Sequence, residues 1–217
     1  MNVVILDGDV SYPPTSGKRL RTLNLMLGLA PRHHICYIAR GDGDAAANER
    51  ARRYLATKGI EARIVDAPIT RKKGVGFYGR LLGNLFAGLP YSVTSHFSEA
   101  VRRAAHDFSA AHSVDLWQVE WSGYLYALQG MGKPLRDLPI VLQAHNVDAL
   151  IWQRYYEAER NTLKRWYIAG QWRKFRRFEA DAFRAVKRVV AVSAEDAALA
   201  RQWYGIDNVD VVFVSLQ

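Results

Sequence analysis

Cysteine is almost missing from this sequence. Cys36 stands alone, so no internal disulfide framework can form. Its place in the run His34-Ile35-Cys36-Tyr37-Ile38 marks a thiol buried in a strand. Long hydrophobic runs are missing too: no stretch approaches the ~20 apolar residues that a membrane-spanning helix needs. Asp7 and Asp9 interrupt the N-terminal apolar run and no cleavage site follows, so no signal peptide is expected and the cytosol is the expected address. No internal repeat, low-complexity tract or interdomain linker is visible, and one domain over 1–217 is expected. Acid is the charge in short supply, with 21 Asp+Glu against 30 Lys+Arg and a formal net charge of +9. The excess gathers in 160–188, where Arg160, Lys164, Arg165, Arg173, Lys174, Arg176, Arg177, Arg184, Lys187 and Arg188 face only Glu179 and Asp181. Such a surface suits an anionic membrane, a phosphorylated substrate or nucleic acid. Nucleic acid is set aside, because neither a base-stacking platform nor a helix-turn-helix pattern accompanies the charge.

What is present is an alternation of apolar strands and amphipathic helices. Val3 to Leu6, His33 to Ala39, Glu61 to Asp66, Val114 to Glu120, Leu138 to Ala144, Val189 to Val192 and Val209 to Val214 read as strands, buried on both faces as in parallel sheets. Helices are expected at Lys18 to Leu29, Asp44 to Lys58, Phe77 to Ala87, Ser95 to His112 (capped by Ser95), Ala149 to Glu157, a long helix ending near Ala185, and Ala194 to Tyr204 (capped by Ser193). A short helix is expected near Gly123 to Gln129. Seven strands with helical crossovers predict an α/β fold, a single Rossmann-like, doubly wound parallel sheet. On the long helix, Trp172, Phe175, Phe178, Ala182, Phe183 and Val186 share one face and the basic residues the other. The helix is either a surface helix whose aromatic stripe is core and whose charges are solvated, or a face resting on anionic lipid or a phosphorylated acceptor. Glu179 projects into the apolar face and needs a partner there.

In such sheets, ligands gather at the carboxyl ends of the strands. After the first strand comes Pro13-Pro14-Thr15-Ser16-Gly17 with Arg21 one turn into the helix. This is either a rigid turn or an anion or sugar site, with Gly17 admitting close backbone approach and Arg21 offering a planar fork. The dinucleotide fingerprint G-x-G-x-x-G and the P-loop are both absent, which removes dehydrogenase and ATPase chemistry. Asp7-Gly8-Asp9 and Asp42-Gly43-Asp44 place carboxylates two apart, but neither has further acids in register, so no metal site is expected. The strand from Pro139 runs into His145-Asn146, an imidazole and an amide above the crevice, able to hold sugar hydroxyls or to form a capped turn. Glu120 ends the neighbouring strand, facing the same space or pairing with an arginine.

Four segments in order are similar to family-4 glycosyltransferases. They are Pro-Pro-x-Ser-Gly-x-x-x-Arg-x-x-Asn-Leu (13–25), Asp-Leu-Trp-Gln-Val-Glu (115–120), Val-Leu-Gln-Ala-His-Asn-Val (141–147) and Arg-Val-Val-Ala-Val-Ser-Ala-Glu-Asp-Ala (188–197). The chain resembles that family's N-terminal domain, nearest to sugar transferases of exopolysaccharide and lipopolysaccharide assembly. The resemblance implies one half of a GT-B fold, carrying most of the acceptor site, with retaining transfer from a nucleotide-sugar and no metal or other cofactor. Gly17 resembles the glycine beside the donor phosphates, with Ser16 and Arg21 at the same loop. His145 resembles a catalytic cleft residue near the acceptor and the transferred sugar, flanked by Asn146 and Glu120. It further implies work at the inner face of the membrane on saccharide or lipid-linked acceptors. Where the family continues into a donor domain, this sequence reads Ser215-Leu216-Gln217. The expectation is an acceptor-side half without its donor domain, inactive unless a separate chain supplies it, and prone to self-association. The competing reading is a non-catalytic saccharide-binding or regulatory module.

Overall fold

The computed structural model describes residues 1–70 and 72–212. Seven strands form one sheet: β1 (Asn2–Asp7), β2 (His34–Gly41), β3 (Ile60–Asp66), β4 (Leu116–Val119), β5 (Ile140–Ala144), β6 (Arg188–Ala191) and β7 (Val209–Val211). All pair in parallel, in the order β3-β2-β1-β4-β5-β6-β7. This is the doubly wound Rossmann-like sheet that the alternation predicts. Phe213 and Val214 of the expected last strand, Ser215 to Gln217, and Arg71 lie outside the described residues.

Among the described residues, eight α-helices connect and cover the strands: α1 (Gly17–Leu29), α2 (Ala45–Thr57), α3 (Val75–Leu85), α4 (Tyr91–His96), α5 (Glu99–Ala111), α6 (Asp148–Ala158), α7 (Thr162–Arg184) and α8 (Ala194–Tyr204). Each parallel strand must be reached by a crossover, so helices bury both sheet faces. One face packs Val3, Ile5, Tyr37 and Met26 together; the other packs Leu6, Trp117, Leu142, Phe175 and Phe183. Cys36 lies in that second core, and burial pushes its thiol up to about 12.

The expected helix from Ser95 to His112 is two helices. The Ser95 hydroxyl turns back onto the Ser92 carbonyl at 3.1 Å instead of capping. Ser98 caps α5, accepting the Val101 N–H at 3.3 Å, with Glu99 in the first turn. Phe97 between them is extended and sets its ring edge-on to Tyr126. The segment expected to be a short helix near Gly123 is a 3₁₀ turn, Ser122–Leu128.

The aromatic stripe of α7 is core, with Phe175, Ala182, Phe183 and Val186 buried. Several of its cations also have structural partners. Lys174 bonds the Asn84 carbonyl at the end of α3, and Arg184 bonds the Tyr204 carbonyl at the end of α8 at 2.7 Å. Arg176 lies over the Trp203 ring. Glu179 finds its partners on two other helices: the Asp148 and Ala149 N–H groups at 2.9 and 3.0 Å and the Tyr204 hydroxyl at 2.6 Å. The residue before α6, Val147, has no side chain to cap it. Glu179 supplies that cap from α7.

Candidate functional site

The order in which the chain adds strands reverses between β1 and β4, and ligands of such sheets bind in the crevice at the carboxyl ends of the strands there. The loop after β1 is tied down at several points. Lys18 pairs with buried Asp7, and Arg19 forks onto both oxygens of Asp9 at 2.7 Å. Tyr37, from β2, donates its hydroxyl to the Asp9 carbonyl at 2.6 Å. Burial raises the Asp7 pKa, and Lys18 opposes that rise. The Asp7-Gly8-Asp9 carboxylates thus anchor α1 to β1. In the second pair, Asp44 caps α2 through the Ala47 N–H at 2.9 Å. Among the described residues no group of three His, Cys, Asp or Glu could hold a metal ion. Gly8 is required by close approach: a Cβ there would stand 1.7 Å from the Tyr124 hydroxyl oxygen.

With the loop fixed, the start of α1 faces outward. Ser16 is its N-cap, accepting the Arg19 N–H at 3.3 Å. Ser16 and Gly17 are exposed, and a Cβ on Gly17 would meet nothing within 4 Å. The first turn therefore leaves free N–H donors and room beside them. Arg21 is half-buried one turn further in. Its Nη1 is buried without a hydrogen-bond partner. Burial lowers its pKa, and the charge of Glu120 works the other way.

Glu120 and His145 meet. The Glu120 N–H bonds the Leu6 carbonyl at 3.0 Å, which extends the β4 ladder by one residue and seats its carboxylate at the switch point. That carboxylate is 1% exposed. It accepts the Thr22 hydroxyl at 2.8 Å and the Gln118 amide at 2.5 Å, and lies 3.3 Å from His145 Nε2. Burial opposes its charge, but the bonds from His145, Gln118 and Thr22 outweigh that and hold its pKa below the ordinary value. A carboxylate only accepts, so the proton between them sits on His145 Nε2. A neutral ring then keeps Nδ1 as an acceptor. The His145 side chain remains 21% exposed, and Asn146 beside it is exposed.

Ser16, Gly17 and Arg21 thus lie along one helix start, while Glu120, His145 and Asn146 end adjacent strands; Thr22, next to Arg21 on α1, bonds Glu120 and links the two groups. Sequence reasoning missed Thr22 and Gln118, which complete the Glu120 cradle. Thr22 left a signal, as a polar residue on the buried side of α1 beside Leu23 and Met26. Asp148 was also missed. It accepts the Trp121 indole N–H, and burial raises its pKa.

Two solved structures share the fold with this chain. A UDP-glucosyltransferase of Polygonum tinctorium, capable of glucosylating indoxyl and complexed with 3,4-dichloroaniline, superposes with a TM-score of 0.51 at 12% identity. UGT71G1 of Medicago truncatula, complexed with UDP-glucose, gives 0.54 at 13%. Each match covers 99% of this chain and about half of the other, 52% and 51%. Among curated proteins, none matches. No helix of the described residues is long and apolar enough to cross a membrane. The model of Glycosyltransferase Family 4 matches residues 17–215, and the chain belongs to that family.

Proposed function

We propose that this chain is the acceptor-side half of a retaining glycosyltransferase. It moves a sugar from a nucleotide-sugar to a saccharide or lipid-linked acceptor, in exopolysaccharide or lipopolysaccharide assembly, at the cytosolic face of the membrane. It uses no metal or other cofactor. The observation that carries this reading is the Glu120–His145 pair at the switch point, bonded to Thr22 of α1, whose first turn is open. Glu120 holds the imidazole in one tautomer and orientation, so that Nδ1 can accept from a sugar hydroxyl. Asn146 offers a donor and an acceptor beside it. The N–H groups from Ser16 and Gly17 onward, with Arg21, suit the anionic oxygens of a sugar-nucleotide.

A transfer cleft needs two walls to orient both substrates and exclude water. In this reading the donor-binding wall is a separate domain, and the 217-residue chain is inactive without it. The test is His145→Ala in the enzyme reconstituted with its donor domain. Turnover should fall by about a hundredfold or more, with the circular-dichroism spectrum kept. Unchanged turnover returns His145 to a structural turn. Sugar transfer by the isolated chain overturns the division of labour.

A further inference from the structure

Among the described residues, large apolar side chains are most exposed on α3 and at the start of α7. On α3, Val75, Tyr78, Leu82 and Phe86 recur at helical spacing, and Val75 and Phe86 are 90% and 94% exposed. Asn84 is the only buried residue of that helix. It fixes which side looks inward, because Gln171 of α7 donates to its side chain at 2.9 Å and Lys174 bonds its carbonyl. The outward side continues onto the first turns of α7, where Leu163 and Trp166 are exposed at 73% and 59%. Between the helices runs an open groove of about 440 Å³, lined by Leu81, Leu82, Leu85, Leu163, Trp166 and Ile168 among others. Soluble surfaces rarely leave so many large apolar side chains contiguous without a partner.

The charge around this stripe says what the partner is. Residues 67–98 contain Arg71, Lys72, Lys73 and Arg80 and no acid at all. Residues 160–178 contain seven Lys and Arg and no acid. Lys72 and Lys73 are exposed just before α3, and Lys164 is exposed in the lining of the groove. Glu157 and Glu159 stand just before α7, but cations outnumber acids on both segments. Large apolar side chains flanked by this excess of cations match an acyl region bordered by anionic headgroups. The basic face of α7 beyond Trp172 is a weaker candidate, since Lys174, Arg176 and Arg184 are engaged within the fold.

We propose that the face formed by α3 and the N-terminal turns of α7 docks on an anionic bilayer. Leu82, Phe86 and Trp166 enter the interface, and Lys72, Lys73 and Lys164 bind the headgroups. This deepens the membrane address of the proposed function and rests on it only for the biological setting. The opposite side of α3 lines a second cavity of about 370 Å³ with Arg40, Tyr91, Thr94 and Ser95. Docking by α3 would hold that cavity near the headgroups.

The test uses lipid alone, without nucleotide-sugar or acceptor, so its failure and the failure of the transfer reading are separate results. The full 217-residue chain is titrated with phosphatidylcholine vesicles and with vesicles of phosphatidylcholine and phosphatidylglycerol in equal parts. Binding to the anionic vesicles is expected, with quenching by brominated acyl chains that is reduced in Trp166→Phe. Leu82→Ser with Phe86→Ser should weaken binding by about tenfold or more. Lys72→Gln with Lys73→Gln should also weaken it by about tenfold or more. None of these side chains is buried, so the fold should persist, as circular dichroism would report. Absent binding to anionic vesicles overturns the proposal, as does binding that the Leu82/Phe86 pair leaves unchanged. A concentration-dependent dimer abolished by the same pair, without vesicle binding, overturns it in favour of a second copy of the chain.

Discussion

Glu179 sets burial against hydrogen bonding in one buried carboxyl, and the two predict opposite responses to pH. Three donors converge on it, from Asp148, Ala149 and Tyr204, at the start of α6. Acting alone, they would favour the carboxylate. Burial works in the other direction and prevails: it raises the Glu179 pKa from 4.5 to about 8, with Asp148 adding to the rise. Between these two values the folded chain keeps a proton that the unfolded chain releases, so stability falls as pH rises through that window. Glu179→Gln retains the shape and removes the proton equilibrium. Relative to E179Q, the native chain should therefore lose about 3 kcal/mol of stability between about pH 5.5 and about pH 8.5. Urea denaturation of both proteins at the two pH values measures this difference, and groups unaffected by the substitution cancel. A native chain that gains stability over E179Q as pH rises would refute the reasoning, because the three donors would then govern the carboxyl. Glu179→Ala leaves the Tyr204 hydroxyl and two helix N–H groups without their acceptor and should cost about 3–5 kcal/mol near pH 5.5, and less near pH 8.5, where the native chain has lost the stability that its protonated carboxyl supplies.

Gly8→Ala should destabilise by about 1–3 kcal/mol in thermal or urea unfolding, because the new methyl overlaps the Tyr124 ring, and Tyr124→Leu in the same chain should recover part of the loss. Ser98→Ala should cost about 1 kcal/mol as a lost helix cap, whereas Ser95→Ala should cost less than about 0.5 kcal/mol; equal losses in unfolding experiments would restore the single long helix. The Cys36 thiol, buried and pushed up to about 12, should resist thiol reagents at neutral pH until denaturant unfolds the chain.

The sheet was legible because parallel strands buried on both faces read as continuous apolar runs, and Val3 to Leu6 or Ile35 to Ala39 have few other readings. The core stripe of α7 was legible for a related reason, since a 3.6-residue period is local. Contacts between distant segments were not. Glu179 was visible as a buried acid in need of a partner, but its donors lie on α6 and α8 and become neighbours only through the order of β5, β6 and β7. The break between α4 and α5 was hidden because Ser95 and Ser98 are both good caps, and only the extended Phe97 chooses between them. The Asp7 and Asp9 carboxylates read as too few for a metal site, with no other role visible. Lys18 and Arg19 turn them into anchors, an outcome that the spacing of like charges alone does not reveal.

The same distinction governs the candidate site. Glu120 and His145 each end a strand, so their nearness follows from β4 and β5 being neighbours; what the ends of strands do not specify is which residue serves the other. Burial decides it. Glu120 is enclosed and bonded by Thr22 and Gln118, while His145 keeps an open edge. In the proposed transferase this makes Glu120 a positioning residue that acts through the imidazole. In the reconstituted transferase, Glu120→Gln should lower kcat while leaving KM within about twofold. Combined with His145→Ala it should add little, since the glutamate has nothing left to orient. Losses that multiply in the double variant would show that Glu120 acts independently of His145, and the pair would cease to be the functional unit.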